Sequence, residues 1–421
     1  EEGTPTDNYI HYDAADNTLT LHNATIRMSV SIDTNTLLAG AAIGVLNQYG
    51  DGNAELTITL EGTNTIAEVG KGIYVLADST GGATLTITGD GSLDASASQT
   101  GIWVQSNSGN ATLTIRKAKV EATGTSTAGY GVNVQSHASS TASLTVNGGS
   151  LTASGSPGIL YDSIGSGTVP ATTALTISNS ALVDARGGGI GAGLLQDLKK
   201  VSPVGNSVGI VFGLDLSDSK AGAVYGDVTL QEDLTIGEGE SLTIPDGASL
   251  TIPDGASLTI GNDATLTNEG TVTNSGTIDN SGTLTGTISG NAPPSITTTS
   301  PLARGTVGTE YSVTLEANNS TSGWSVTSGS LPDGLTLDGN TGLISGTAGT
   351  STFTVKAAND YGSDSKELSI IIDEQTDVPV TGVSLNTSTL NLVENETDTL
   401  TATVEPNNAT NRNVTWSSDN P

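Results

Sequence analysis

The clearest pattern along the chain is an alternation of apolar and polar residues in short segments that recur at a nearly constant spacing. The recurring segments read apolar, threonine, apolar at residues 56–58, 85–87, 113–115, 144–146 and 175–177, with a related segment at 19–21. The steps from residue 56 onward are 28 to 31 residues, and the first step is 37 residues. Because alternate residues of a strand face opposite sides of the sheet, each threonine is expected to point outward between two buried neighbours.

Two more short strands are predicted in each repeating unit. One is carried by apolar pairs at residues 43–45, 73–75, 102–104 and 132–134, and the other by segments such as 92–95 and 119–122. Three alternating strands in about 30 residues are typical of one coil of a parallel β-helix. The pattern therefore predicts a buried column formed by Leu56, Leu85, Leu113 and Leu144.

The repeat shortens after about residue 226. Residues 241–248 are repeated without change at 249–256, and six-residue steps follow at 271–276 and 277–282. One strand and one turn per step predicts a continuing stack with tighter corners. Asn268, Asn274 and Asn280 recur at this spacing, so we expect them in equivalent turns with a left-handed backbone.

The domain organisation follows from these repeats and from a proline-rich boundary at residues 292–294. Threonine, serine, glycine and valine dominate over strong helix formers, which favours strands and turns. We expect an all-β chain, with a right-handed parallel β-helix over 1–290, shorter coils from about 227, and Ig-like β-sandwich modules over 293–374 and 378–421.

The charge balance narrows the possible partners. The chain has 44 acidic and 13 basic residues, a net charge of -31 and no cysteine. A chain this acidic is repelled by nucleic-acid phosphates, and it has no disulfide or thiolate chemistry. No sequence window approaches the roughly 18 apolar residues of a membrane span. The first residue is Glu1, which indicates a processed or truncated product whose signal and anchor are not present here.

Particular motifs resemble known families. The segment 9–290 resembles the clostridial and gut-bacterial carbohydrate-binding β-helix family, chiefly through residues 12–21, 56–66 and 85–93. Residues 293–374 look like a putative Ig module, and the motifs that carry this likeness are 331–338 and 341–347. Residues 378–421 resemble the first half of a bacterial Ig-like group 2 domain, through 383–385, 403–406 and 414–418, although Asn395 stands where that family usually has glycine.

The resemblances imply an extracellular or cell-surface bacterial protein whose partner is a polysaccharide or a host or cell-surface glycan. Two alternatives to a carbohydrate-binding adhesin stay open. One is a structural spacer or adhesin stalk that projects another domain, and the other is a β-helical polysaccharide lyase or glycoside hydrolase. The three histidines lie outside any Gly-His-Gly motif, and Arg116, Lys117 and Lys119 are interpreted as a solvated corner, so we expect no enzyme.

A sugar-binding face is predicted from the outward positions of the second strand in each unit. Aligning these strands places Gly44, Tyr74, Trp103 and Asn133 in one column, with Gln105 and Gln135 two residues further on. Aromatic rings beside amides suit the C–H face and the hydroxyls of a sugar. The predicted carbohydrate-binding residues are Tyr74, Trp103, Gln105, Asn133 and Gln135. The alternative is an aromatic pair that only stabilises the stacked strands.

A calcium site is the remaining candidate. Acidic side chains are densest between residues 215 and 240, and hard cations require several oxygen ligands at once. The predicted ligands are Asp215, Asp218, Asp227, Glu232 and Asp233. The resemblance to the carbohydrate-binding family implies calcium as the cofactor for binding an acidic polysaccharide. The alternative is a charged surface that keeps the stack soluble.

Overall fold

The computed structural model describes residues 8–27, 30–31, 40–48, 52–78, 80–164, 170–193, 199–214, 218–319, 321–347, 351–359, 361–374 and 376–419. The chain divides into two compact units. The first comprises Glu1–Ile296, Ala317–Ser322 and Ala357–Ser365, and the second comprises Thr297–Glu316, Gly323–Lys356 and Lys366–Pro421.

The described residues form strands and turns and contain no helix, which confirms the all-β prediction. The strands as far as residue 192 are β1 Tyr9–Asp13, β2 Thr18–His22, β3 Thr25–Ile26, β4 Val30–Ser31, β5 Ala41–Asn47, β6 Ala54–Glu61, β7 Thr63–Ala77, β8 Ala83–Thr88, β9 Ser92–Ser106, β10 Ala111–Arg116, β11 Lys119–Gly124, β12 Tyr130–His137, β13 Thr141–Asn147, β14 Ser150–Ser154, β15 Ile159–Ile164, β16 Thr172–Ser178, β17 Ala181–Gly187 and β18 Ile190–Ala192.

The strands from residue 199 to residue 318 are β19 Lys199–Lys200, β20 Gly209–Phe212, β21 Ala221–Tyr225, β22 Asp227–Thr229, β23 Leu234–Ile236, β24 Ser241–Ile244, β25 Ser249–Ile252, β26 Ser257–Ile260, β27 Thr265–Asn268, β28 Thr271–Asn274, β29 Thr277–Asn280, β30 Thr283–Thr285, β31 Ile288–Gly290, β32 Ser295–Ile296, β33 Gly305–Thr306, β34 Glu310–Thr314 and β35 Ala317–Asn318. The remaining strands are β36 Gly323–Gly329, β37 Leu335–Leu337, β38 Leu343–Thr347, β39 Ser351–Asn359, β40 Gly362–Ile370, β41 Ile372–Asp373, β42 Gly382–Leu385 and β43 Ala402–Glu405.

The first repeating segments form one sheet whose strands β2, β6, β8, β10, β13 and β16 pair in parallel. Leu56, Leu85, Leu113 and Leu144 are directly opposite one another on successive strands and are buried, as the sequence predicts. The intervening threonines form a part-exposed outer column. The core of this part of the chain is the apolar interior that these leucines share with the other inward-facing residues.

The first repeat differs from its prediction. Leu19 pairs with Ile58 and Leu21 with Leu60, so β2 lies two residues out of the alignment expected from the motif. The inward and outward faces are unchanged because a shift of two residues preserves the alternation of a strand.

The other strands of the repeats also stack on one another. Strands β5, β7, β9, β12 and β15 pair in parallel, and strands β9, β11, β14 and β17 form a second such series. Antiparallel pairs join this arrangement at β1–β2, β18–β19 and β20–β21, so the sheets are mixed.

The shorter repeats form three parallel series in the first unit. They are β21–β24–β27–β30, β22–β25–β28–β31 and β23–β26–β29. Leucine, isoleucine and valine side chains from all three series form a common core. The third series continues into residues 362–364, because Ile278, Asp279 and Asn280 pair in parallel with Gly362, Ser363 and Asp364.

The recurring asparagines correct one expectation. Asn268, Asn274 and Asn280 occupy equivalent positions, but each is the last residue of its strand rather than a turn residue. Their backbone is not left-handed, and their side chains are buried. Each side-chain amide donates a hydrogen bond to the next layer, for example from Asn268 Nδ2 to the Thr287 carbonyl at 2.6 Å. The amide donors are therefore satisfied inside the stack, whereas the side-chain oxygens of Asn268 and Asn274 have no hydrogen-bond partner.

The second unit contains antiparallel pairs, with β38 between β34 and β37. Trp324 is buried there. Trp416 is 52% exposed. Its segment has one two-stranded antiparallel sheet, β42–β43, with Val383 and Leu385 also exposed.

Candidate functional site

The predicted outward column is present in the first unit. Gly44, Tyr74, Trp103 and Asn133 are directly opposite one another on β5, β7, β9 and β12. The rings of Tyr74 and Trp103 are 4.9 Å apart between centroids and are inclined by 31°. The parallel register therefore brings the two aromatic residues into contact, as the alternation of the sequence requires.

The outward residues of this column differ in their exposure to solvent. Tyr74 and Asn133 are buried, whereas Trp103, Gln105 and Gln135 are part-exposed. Tyr74 forms a small apolar cluster with Ala41 and Leu76, and Leu46 and Trp103 pack against it. These contacts come largely from neighbouring repeats, so the local alternation of residues 73–75 does not predict them.

Lys71 is an additional residue of this face. Its Nζ lies 4.6 Å from the Tyr74 ring centroid and 5.2 Å from that of Trp103, within the range of a cation–π interaction. Burial lowers the pKa of Lys71. The strand register is irregular between Val69 and Lys71, so simple alternation does not place this side chain on the face.

A series of hydrogen bonds holds the polar side chains. Tyr74 Oη donates to Gln105 Oε1 at 2.7 Å, and Gln105 Nε2 donates to Asn107 Oδ1 at 2.8 Å. Asn107 Nδ2 in turn donates to Asp78 Oδ1. Each donor–acceptor contact fixes the orientation of the next amide, so the part-exposed Gln105 is held in position from behind.

The next layer repeats this arrangement with different residues. Gln135 Nε2 donates to Asp162 Oδ2 at 3.3 Å, and burial raises the pKa of Asp162. Asp162 stands opposite Gln135 in the strand register, so extending the Gln105–Gln135 column by one repeat would have found it. Asp78 and Asn107 carried no comparable signal.

Two polar atoms of the column lack a hydrogen-bond partner. They are Trp103 Nε1 and Asn133 Oδ1, and both are shielded from solvent. Buried polar atoms are normally satisfied, and leaving one unpaired costs about 1–3 kcal/mol. Both atoms lie in the face predicted to bind sugar, where a rearranged side chain or a ligand hydroxyl could satisfy them.

The buried tyrosines lead to a pH prediction. Burial raises the pKa of Tyr74, with a further contribution from the Asp78 charge, and burial alone raises the pKa of Tyr161. Because the folded-state pKa is raised, the buried tyrosines favour the folded state fully below pH 10, the ordinary tyrosine pKa. This contribution to the free energy of unfolding is lost as the pH rises further. We expect the free energy of unfolding to fall above pH 10, and Tyr74→Phe to reduce that slope. Denaturant unfolding at several pH values checks this, with the exposed Tyr361→Phe as the control; equal slopes for both variants would contradict the assignment.

The predicted calcium ligands do not form a common site. Asp215 lies outside the described residues, and Asp218, Asp227, Glu232 and Asp233 are exposed. Their contacts are separate: Asp227 accepts from Ser249 Oγ, Asp233 from Ser257 N, and Glu232 from Lys119 Nζ. In the part of the chain that the structure describes, no three acidic or histidine side chains are grouped as metal ligands. These residues therefore do not fit calcium as one donor set.

Comparison with known families identifies two C-terminal regions. Residues 293–373 match the family model described as Putative Ig domain, and residues 379–421 match the Bacterial Ig-like domain (group 2). Searches of curated proteins and of solved structures found no match. The family matches lie in the C-terminal part of the chain, so the resemblance of the first part to a carbohydrate-binding family stays a prediction.

The described residues contain no helix that is long and apolar enough to cross a bilayer. The chain is thus an all-β protein with Ig-like domains in its C-terminal part. This organisation is consistent with a surface or adhesin-like protein.

Proposed function

We propose that the chain is a non-catalytic bacterial surface or secreted adhesin that binds carbohydrate. In this proposal residues 1–290 form a right-handed parallel β-helix, and Ig-like modules follow it. The parallel register of successive 28–31-residue repeats supports the β-helix, and the two Ig-like matches support the adhesin class.

The observation that carries the carbohydrate proposal is the face around Trp103. A part-exposed indole ring lies beside the part-exposed amides of Gln105 and Gln135, which are held by hydrogen bonds to their neighbours. The ring would pack against the C–H face of a sugar, and the amides would bind its hydroxyls. Tyr74 and Asn133 are buried, so in this proposal they support the contact residues from behind.

Trp103→Ala is expected to weaken glycan binding by about 1–3 kcal/mol, because it removes most of the apolar contact area of the face. A glycan array with and without calcium identifies the ligand, and titration calorimetry then measures the loss. Trp416→Ala is the matched control, since Trp416 is an exposed tryptophan in the second unit. Circular dichroism establishes that both variants are folded. Normal binding by Trp103→Ala would exclude this face.

The proposal does not require calcium, and the glycan array tests binding with and without it. The resemblance implies a calcium-dependent acidic polysaccharide, but the described acidic residues do not converge as ligands. Binding that is abolished by chelator would point to a metal site elsewhere in the chain.

A second candidate function is a structural stalk, and one observation favours it. The Lys71 ammonium lies over both rings and Tyr74 is buried, as expected for an aromatic pair that stabilises the strands. The absence of binding to any arrayed glycan, with or without calcium, would support the stalk and contradict carbohydrate recognition.

A further inference from the structure

A cleft of about 820 Å³ lies in the first unit, away from the Trp103 face. One wall is formed where strands β8, β10, β13 and β16 end and the chain turns. The other wall is the segment 230–234. An ion pair of 2.8 Å between Lys119 Nζ and Glu232 Oε2 joins the two walls. A volume of this size lies in the usual range for a small-molecule site.

The cleft brings three basic side chains together in an acidic chain, beside three acidic ones. Arg116, Lys117 and Lys119 all line it, and they are three of the 13 basic residues. Lys119 is paired with Glu232, but no carboxylate of the described residues lies within ion-pair distance of Arg116 or Lys117. Both side chains are exposed. The Arg116 guanidinium and the Lys117 ammonium therefore remain available to an anionic group.

The backbone of Lys117 provides an independent reason to examine this corner. Lys117 has a φ of 61°, in the left-handed region. The equivalent turns of the next two coils contain Gly148 and Asn179, at 68° and 55°. Glycine and asparagine adopt this conformation readily, whereas lysine adopts it at a cost in free energy. A strained residue is a reason to look for function, and here the residue supplies one of the two unpaired cations.

The remaining lining suits a sugar rather than a bare inorganic ion. Asn147 and Asn179 lie beside the cations and are hydrogen-bonded to each other, which leaves amide groups for hydroxyls. Leu182 is part-exposed and supplies apolar surface, with the buried Ile210 and Leu230 behind it. The acidic residues Asp90, Glu232 and Asp233 also line the cleft, so a polymer of high negative charge density would be repelled.

We propose that this cleft binds a saccharide that carries an isolated anionic group, a carboxylate or a sulfate ester, through Arg116 and Lys117 without a metal ion. The sugar ring lies against the apolar side chains, and its hydroxyls bind the asparagine amides. The site shares no residue with the Trp103 face, so it does not depend on the function proposed for that face.

The experiment measures binding of three probes to the full chain in the presence of EDTA. The probes are a hyaluronan tetrasaccharide, 6-sulfated N-acetyllactosamine and neutral N-acetyllactosamine. We expect at least one anionic probe to bind and the neutral one to bind at least tenfold more weakly. Arg116→Gln and Lys117→Asn should each weaken anionic binding about tenfold, because each removes a charge-assisted hydrogen bond. Arg27→Gln, at an exposed arginine elsewhere in the first unit, should leave it unchanged.

Thermal unfolding separates loss of binding from loss of fold. Lys117→Asn should melt no lower than the parent chain, because asparagine occupies the equivalent left-handed position at residue 179. The Trp103→Ala variant should still bind the anionic probes in the cleft, whereas it should lose glycan binding at the Trp103 face. Failure of both anionic probes, equal binding of the neutral probe, or full binding by both cleft variants would overturn the proposal.

Discussion

Leu113→Ala is expected to lower the free energy of unfolding of the first unit by about 3–5 kcal/mol. Leu113 is fully buried and stands directly between Leu85 and Leu144 on the neighbouring parallel strands. The truncation leaves a cavity that both neighbours line, and paired strands on either side restrict how far the backbone can relax to fill it.

The measurement is denaturant unfolding followed by circular dichroism. Thr114→Ala is the control, because Thr114 is the next residue on the same strand but faces outward and is part-exposed. The Thr114→Ala variant should lose less than about 1 kcal/mol of unfolding free energy, as expected for one outward strand position. Similar losses for both variants would contradict the assignment of inward and outward faces.

Gly276→Ala should destabilise the shorter repeats by about 3 kcal/mol, the upper end of the usual cost of overpacking. An added Cβ at this corner would lie 2.2 Å from the Ala256 carbonyl oxygen and 2.4 Å from that of Pro253. Both contacts are with the backbone of the preceding layer, so the two layers must separate at this corner. Gly270 and Gly282 occupy the equivalent corners and meet the same obstacle.

Gly255→Ala is the control that separates crowding from backbone strain. Gly255 has a φ of 84°, but an added Cβ has no neighbour within 4 Å. Its expected cost is about 1–2 kcal/mol, the usual penalty for a left-handed alanine. Thermal unfolding measures the loss of stability in both variants. A smaller loss for Gly276→Ala than for Gly255→Ala would show that close packing at the corner is not the reason for the glycine.

The sequence predicted best what depends on alternation and spacing. A strand has a period of two, so the inward leucines and the outward positions of Tyr74 and Trp103 follow from residue order alone. Their register also follows, because successive repeats differ by only a few residues in length. The Thr18–Thr57 pairing was missed because the first step is longer, and the length of a connection does not fix the register of the strand after it.

What the sequence could not predict depends on contacts between distant segments. Tyr74 is buried partly by Ala41, from the preceding repeat, and Lys71 reaches the rings through an irregularity in its strand. The two walls of the cleft are joined by Lys119 and Glu232, which are 113 residues apart. No local pattern encodes either arrangement. The charged corner therefore had the same sequence signature as ordinary solvated surface.

The pairing of residues 278–280 with 362–364 has a consequence for self-association. The last strand of a parallel series presents unpaired N–H and C=O groups, which can recruit a strand from another molecule and propagate into a filament. Here Gly362–Asp364 occupies that edge of β29. In a different sheet, the edge strand β1 runs antiparallel to β2. A β1 edge does not reproduce the parallel template of the repeats. At β29 the chain itself supplies the neighbouring strand, so this edge is closed to a strand from a second molecule.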